Sequence, residues 1–314
     1  MFTVQGLRAQ PPAFRVLTGL TPAQFDQLLA EIQPRYQAAE VHRLTQRRRQ
    51  RQVGAGRKFC RPLEDRLLLA LVWLRMYPTY EVLGALFAVD KGTVCHWLHP
   101  LLALLRPTTA AELRWPDPAQ RPRNADALLR DFPEAGAIID ATEQRVRRPK
   151  DPRDTPPSDR GAAQRPYYSG KKKTHTVKTQ LAITLDGQIA EVSATVPGSV
   201  NDLTLLRQSK ILTRVPGAPL LDRGYQGIQN DVPDQLLYRA HRASRGHPFT
   251  PEQKAANRVL GRHRVRIEHT LACLKHYHVL AGVYRHDRDT YNDTFCLVAA
   301  LTNRRRGFGP TVAC

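Results

Sequence analysis

Residues 262–278, RHRVRIEHTLACLKHYH, carry eight Arg, Lys or His side chains and a single carboxylate, Glu268. A lone acid in that much positive potential has two readings. It can be one half of a surface ion pair with Arg264, one turn back, worth only ~0.3–0.5 kcal/mol. It can also be a ligand in a site whose substrate is itself negative. Two further acids stand in suggestive places: Asp140 follows Ile138 and Ile139, and Asp222 follows Leu220 and Leu221, each where an apolar run gives out. Ligands and catalytic groups gather at strand ends in open α/β sheets, although Asp222 in DRGYQG also suits a turn and Asp140 an ordinary strand end. Three carboxylates brought together repel one another unless cations lie between them. Oxygen donors alone suit hard ions such as Mg²⁺ or Mn²⁺. Two such ions about 4 Å apart would clamp the attacking and leaving oxygens of a phosphodiester.

The elements that must hold these acids can be sketched from periodicity. GAIIDATEQRV (136–146) has a strand-like core, THTVKTQLAITLDGQIAEVSATV (174–196) reads as two strands joined at Asp186–Gly187, and APLLDRGY (218–225) as a buried strand ending in a turn. Helical segments follow PGSVNDLTLLRQS, where Ser199 to Asp202 reads as a capping box, and start again at the box Thr250–Gln253. That last helix is expected to run well past Lys275, with Ile267, Leu271 and Leu274 facing a sheet and Glu268 beside them. Strands first, then helix and strand in alternation, describe an α/β core with a mixed sheet and flanking helices.

Upstream the pattern is all helical. Thr21, Pro22 and Gln24 open a helix with one apolar face that is expected to end near Pro34. From Arg43 to Arg61 the chain carries eight Lys or Arg and no acid, Arg47, Arg48, Arg49 and Arg51 among them, with Gly54 and Gly56 between. This is a basic arm for DNA or a solvated linker. EDRLLLALVWLRM is apolar nearly all round and should be buried. A short helix from Thr79, a turn at Val89–Asp90 and a third helix capped by Asp90 make a helix-turn-helix. Its third helix would present Lys91, Thr93 and His96 to DNA, unless the three helices are only a packing unit or Pro100 splits the last one. Residues 106–124, rich in Pro, read as a linker. The expected organisation is an N-terminal helix and arm over 1–62, the helix-turn-helix domain over 63–106, a linker over 107–133 and the α/β domain over 134–314.

Charge and cysteine content narrow the function classes. Lys and Arg outnumber Asp and Glu by 48 to 28, a net +20 over 314 residues, which calls for a polyanionic partner. Nucleic acid is the stronger choice over a membrane, since the longest apolar runs fall far short of the ~20 residues of a span and the first residues lack a secretory pattern. Five scattered cysteines with no Cys-x-x-Cys pair fit a reducing cytoplasm rather than a zinc site or a disulfide framework.

Taken together, IIDATEQRVRRP, YYSGKKKTHTVKTQ, PGSVNDLTLLR, DRGYQG, RHRVRIEHTLACLK and ALTNRR resemble the DDE transposases of bacterial insertion sequences, most closely insertion-sequence family five. The resemblance runs in order from 64 to 306. It implies an RNase H-like catalytic domain behind an all-α helix-turn-helix domain, with Asp140, Asp222 and Glu268 as catalytic, metal-binding residues. It implies roles for Arg264 and Lys275, which match a Tyr-x2-Arg-x3-Glu-x6-Lys signature; Gly261 stands where the Tyr would be, and Asn201 where a His is expected before Asp202. The activity implied is metal-dependent cleavage at terminal inverted repeats followed by strand transfer to target DNA, with Mg²⁺ or Mn²⁺, two ions, and a homodimer or larger assembly on double-stranded DNA. The expected location is the bacterial cytoplasm, on the nucleoid. Lys171, Lys172 and Lys173 would hold strand backbone or form a solvated loop, while His175, His263 and His269 are expected to be surface residues or, at best, to support the site or contact phosphate. A domesticated DNA-binding protein and a nuclease of the same fold without strand transfer are the alternatives.

Overall fold

The computed structural model describes residues 2–46, 61–117, 122–243 and 246–308. Arg47, Arg48, Arg49 and Arg51 of the expected basic arm lie outside them. The chain divides into two compact units, one of Met1–Glu112 with His276–Val279 and Asp293–Cys314, the other of Leu113–Lys275 with Leu280–Asn292.

The first unit is built from helices α1 (Val4–Arg8), α2 (Pro11–Thr18), α3 (Pro22–Thr45), α4 (Leu63–Met76), α5 (Tyr80–Phe87) and α6 (Lys91–Thr109). The capping box at the start of α3 is complete: Gln24 N–H donates to Thr21 Oγ1, and Thr21 N–H to Gln24 Oε1. Contrary to expectation, α3 does not stop at Pro34 but carries it inside. Two residues on, the Tyr36 hydroxyl accepts from Arg66 Nη1 at 2.6 Å, and the guanidinium lies 4.8 Å from the ring centre. Tertiary contact of this kind offsets the hydrogen bond that proline removes. Likewise α6 passes through Pro100 and Pro107, because Val94, Trp97, Leu98, Leu101, Leu105 and Thr109 keep one face buried throughout. It therefore runs beyond the expected start of the linker.

Helix α4 is buried from Leu67 to Leu74, as its all-round apolar sequence requires. Between α5 and α6 the chain turns at Ala88, whose φ of 53° is left-handed. A Cβ at Gly84 would lie 2.5 Å from the Val89 carbonyl oxygen, so only glycine lets the turn close this tightly. Part of the last helix, Tyr291–Arg305, completes this unit with buried Leu297, Val298 and Leu301. Its Arg304 Nη2 pairs with Glu31 at 2.6 Å and Glu112 at 2.5 Å.

The second unit begins with α7 (Asp126–Asp131) and contains a seven-stranded mixed sheet. Its strands are β1 (Ala135–Arg145), β2 (Tyr168–Ser169), β3 (Thr174–Ile183), β4 (Ile189–Val192), β5 (Val196–Pro197), β6 (Ala218–Leu221) and β7 (Tyr238–Arg239). The order β2-β3-β1-β6-β7 sets β1 antiparallel to β3 and parallel to β6, with β7 parallel to β6 and with β4 and β5 also on β3. The turn between β3 and β4 falls at Gly187, φ 91°, as the alternation predicts. Helices α8 (Asp202–Ser209) and α9 (Pro251–Lys275) flank the sheet, and α10 (Tyr291–Arg305) is the helix whose later residues join the first unit. Ile139, Ala182, Leu206, Ile211, Leu212, Leu221, Tyr225 and Ile228 form a core cluster. Helix α9 starts at the Thr250 capping box but ends at Lys275 instead of continuing past it; Tyr277 is fully buried and the next residues form a 3-10 turn. No helix among the described residues is long and apolar enough to cross a membrane.

Candidate active site

Asp140 is not at the end of its strand, as its place after Ile138 and Ile139 suggests, but midway along β1, opposite Leu181 of β3. What ends near it is the pairing with β6. The parallel register reaches Ile138 opposite Leu220, and two residues further along each chain come Asp140 and Asp222. A strand repeats its facing every second residue, so the register of two apolar neighbours sets both carboxylates on the same side of the sheet. Asp222 itself leads out of β6 into the 3-10 turn Arg223–Tyr225.

Helix α9 packs on β1 and supplies the counter-charge. Its buried face is Leu260, His263, Arg264, Ile267, Thr270 and Leu274, and among these Arg264 reaches both acids. Nη2 lies 3.2 Å from Asp140 Oδ2 and Nη1 lies 3.1 Å from Asp222 Oδ1. The Arg264 side chain is 11% exposed, so this is a largely desolvated bridge rather than the surface pair with Glu268 that its spacing allows. Its Nε is buried without a hydrogen-bond partner.

Asp202, which the sequence offered only as the end of a capping box, is a third acid close by. Helix α8 is capped by Asn201, whose Oδ1 accepts from Thr204 N–H at 2.7 Å, and not by Ser199. That leaves the Asp202 carboxylate free to accept from Lys178 Nζ at 2.9 Å, and Lys178 also lies 3.7 Å from Glu143. A Cβ at Gly224 would come within 2.9 Å of Asp202 Oδ2, so glycine lets the turn after Asp222 close onto this carboxylate. Burial pushes the Asp140 carboxyl up to about 6; the Arg264 charge and the Ala141 N–H pull it down, while Asp222 and Asp202 raise it. Beneath it Tyr225 is buried, its hydroxyl accepting from Gln180 Nε2 at 2.8 Å, and burial holds its pKa well above the ordinary value. A sequence signal for Lys178 existed: it is a charge within the otherwise buried run of β3.

The remaining expected site residues are distributed as follows. Glu268, one turn beyond Arg264, is exposed, and no group of three His, Cys, Asp or Glu side chains among the described residues is close enough to hold a metal together. Lys171, Lys172 and Lys173 are exposed between β2 and β3. Desolvation first, and then the Lys172 charge, lower the pKa of Lys275, so these two expected DNA contacts are electrostatic neighbours. His263 is not at the surface as expected: it is buried, with Nε2 2.7 Å from Asp131 Oδ2 and its ring edge-on to Phe132. In the first unit, Lys91 and His96 are exposed and Thr93 is half-buried. Lys91 pairs with Glu81 at 2.5 Å, and Thr93 caps against Asp90.

Residues 139–303, which include all three expected carboxylates, match the family model described as DDE superfamily endonuclease. The chain belongs to this superfamily. Residues 62–108 match the model for the helix-turn-helix of DDE superfamily endonuclease, and this segment contains α4, α5, the turn and all but the last residue of α6. Among curated relatives, one from Microchaete diplosiphon, named as a probable transposase for insertion sequence element IS702, is 26% identical over 77% of this chain and 80% of its own. Another, from Streptomyces albus G and similarly named for insertion sequence element IS112, is 25% identical over 87% of each chain. No solved structure matches. The chain is thus a DDE-type transposase of an insertion sequence, an enzyme that binds DNA and depends on divalent metal. The donor set fits that dependence: Asp140 and Asp222 offer only carboxylate oxygens, and Asp140 is charged at a cost that an added cation would relieve.

Proposed function

We propose that this transposase binds the terminal inverted repeats of its own insertion sequence, cuts a phosphodiester at each end and joins the freed 3′-hydroxyl to target DNA. The observation that carries the proposal is the arginine bridge: Arg264 draws Asp140 and Asp222 together from two strands and offsets one of their two charges. Such a pair is a cation site. Asp140, Asp222 and Glu268 would hold two Mg²⁺ or Mn²⁺ ions. When bound, such ions polarise the phosphate and activate the attacking oxygen. The protein's own residues do the rest. Asp140 and Asp222 offer oxygens from a fixed register, Arg264 offsets part of their charge, and Lys171, Lys172, Lys173 and Lys275 hold the backbone of the strand. The strand order, with antiparallel β3 and β1 beside parallel β6 and β7, supports an RNase H-like catalytic part.

In the proposed division of labour, the arm within 1–62, with Arg47, Arg48, Arg49 and Arg51, and the helix-turn-helix of 63–106, with Lys91, Thr93 and His96, read the ends. Residues 107–133 link them to catalysis in 134–314. Holding two ends at once calls for a homodimer or larger assembly, working on the nucleoid of the bacterial cytoplasm. The test is a supercoiled plasmid carrying the element's ends, with Mg²⁺, Mn²⁺ or EDTA. Wild type is expected to release ends and form joined products only with metal, while Asp140→Asn and Glu268→Gln bind the ends with unchanged affinity and cut nothing. Cutting without joining would establish a nuclease instead, and binding without cutting under any metal a DNA-binding protein.

A further inference from the structure

The segment from Arg145 to Lys173 holds ten Lys or Arg against three acids, +7 of the chain's +20 in under a tenth of its length. Most of it is the connection between β1 and β2, and it is a built loop. The Asp151 carboxylate accepts from Gly161 N–H at 2.7 Å and Ala163 N–H at 3.0 Å, tying one limb to the other. Arg148 Nε donates to Gln164 Oε1 at 2.6 Å, and the Gln164 and Arg165 N–H groups both reach the Gly161 carbonyl. Between the limbs is an open cleft of about 640 Å³, lined by Arg148, Lys150, Arg153 and Arg160 together with Thr155. Asp151, also in its wall, is already engaged by two backbone donors.

Against the single acid Asp151, the four cations leave an excess of positive charge around the cleft that favours an anion among them. The lining contains no aromatic side chain, and the nearby Tyr167 ring is covered by the Arg288 guanidinium at 4.5 Å. Bases therefore find nothing to stack on there, and the ligand the cleft fits is the sugar–phosphate backbone. Position agrees. Arg148 lies eight residues beyond Asp140 along the same strand and loop, at most about 29 Å of fully extended chain and less than the ~34 Å of one duplex turn.

We propose that this cleft grips the backbone of the DNA strand within one helical turn of the phosphodiester cut at Asp140. The proposal rests on the reading of Asp140 and Asp222 as the cutting site. The experiment compares wild type, Asp140→Asn and a combined Arg148→Gln, Lys150→Gln, Arg153→Gln, Arg160→Gln variant of the full chain. Affinity for a duplex bearing the element's end is measured by fluorescence anisotropy across KCl concentrations, alongside hydroxyl-radical footprints and Mg²⁺-dependent cutting. The combined variant is expected to lower the slope of log K against log salt by about 2–4, at ~0.9 per phosphate contact. Protection within one turn of the cut should disappear, and the cut position at low salt should stay the same. Asp140→Asn keeps the wild-type slope and loses cutting; if it still cuts, the assignment of the site fails while the slope continues to report on the cleft. An unchanged slope and footprint in the folded combined variant overturns the proposal. So does a loss of slope in a control with Arg148, Arg153 and Arg160 replaced by Lys, where charge is kept. Should the combined variant melt early, Arg153→Gln and Arg160→Gln alone, both exposed in the structure, each carry the same test at about one unit of slope.

Discussion

Arg264 sits on the buried face of α9 and balances two acids that reach it from different strands, so its removal acts on both at once. Breaking a buried pair by taking away one partner costs about 3–5 kcal/mol, less here because Asp222 is 43% exposed and water screens part of its charge. Arg264→Gln should therefore lower the melting temperature in EDTA, and Mg²⁺ should restore more of it than it adds to wild type; equal Mg²⁺ shifts would mean that Arg264 does not stand in a cation site. Asp140 makes a separate prediction with a definite sign. Its folded pKa, about 6, is raised above the unfolded value, so its stabilising contribution is fully present below pH ~3.9 and is lost as pH rises through 6. Urea unfolding in EDTA should show Asp140→Asn gaining on wild type between pH 4 and 7 by about 2–3 kcal/mol, and a constant difference would refute the shift. Residue types alone pointed to Asp140 and Asp222, because an acid after a buried aliphatic run is conspicuous. Asp202 was hidden because its first-turn position has a sufficient local explanation, helix capping. Arg264's bridge was hidden because its partners lie far away in sequence.

Elements defined by local chemistry were the legible ones. Thr21, Asp90 and Thr250 each cap a helix through a side chain three residues from its target, a relation that sequence spacing alone records. The glycine turn after β3 is local in the same way. Pro34 and Pro100 misled because their cost is real locally and is offset by burial contributed from elsewhere in the chain. Asp140's place in mid-strand was also illegible, since β1 runs on by pairing with β3 after β6 has ended. The Asp90 cap gives a prediction at this scale. Its carboxylate holds both the N–H and the hydroxyl of Thr93, at the end of α6 that a helix-turn-helix presents to DNA. Asp90→Ala should lower the melting temperature through loss of the cap and weaken binding to the element's ends, without altering metal-dependent cutting of DNA already held at saturating protein. Unchanged affinity would take the N-terminus of α6 out of the DNA interface.

The chain is not laid out as consecutive blocks in space, and this decides how it can be divided. Residues 1–112 lack what the first unit receives from downstream: Tyr277, Leu297, Val298 and Leu301 from its core, and Arg304, which pairs with Glu31 and Glu112. Fully burying one large apolar side chain is worth about 1.5–3 kcal/mol, so losing four approaches or exceeds the ~5–15 kcal/mol that holds a typical domain together. The missing arginine compounds the loss. Glu112 is 1% exposed, and burial already pushes its carboxyl up to about 7 with Arg304 opposing; without that guanidinium it must take up a proton or draw water into the core. A fragment of residues 1–112 is therefore expected to show helical far-ultraviolet dichroism, poor dispersion of its amide resonances and no cooperative melt, although it contains every helix of the helix-turn-helix. Appending residues 276–305 through a flexible linker should restore a cooperative transition, and Arg304→Ala within that chimera should weaken it again. A sharp melt from residues 1–112 alone would show that the downstream segments decorate the unit rather than complete it.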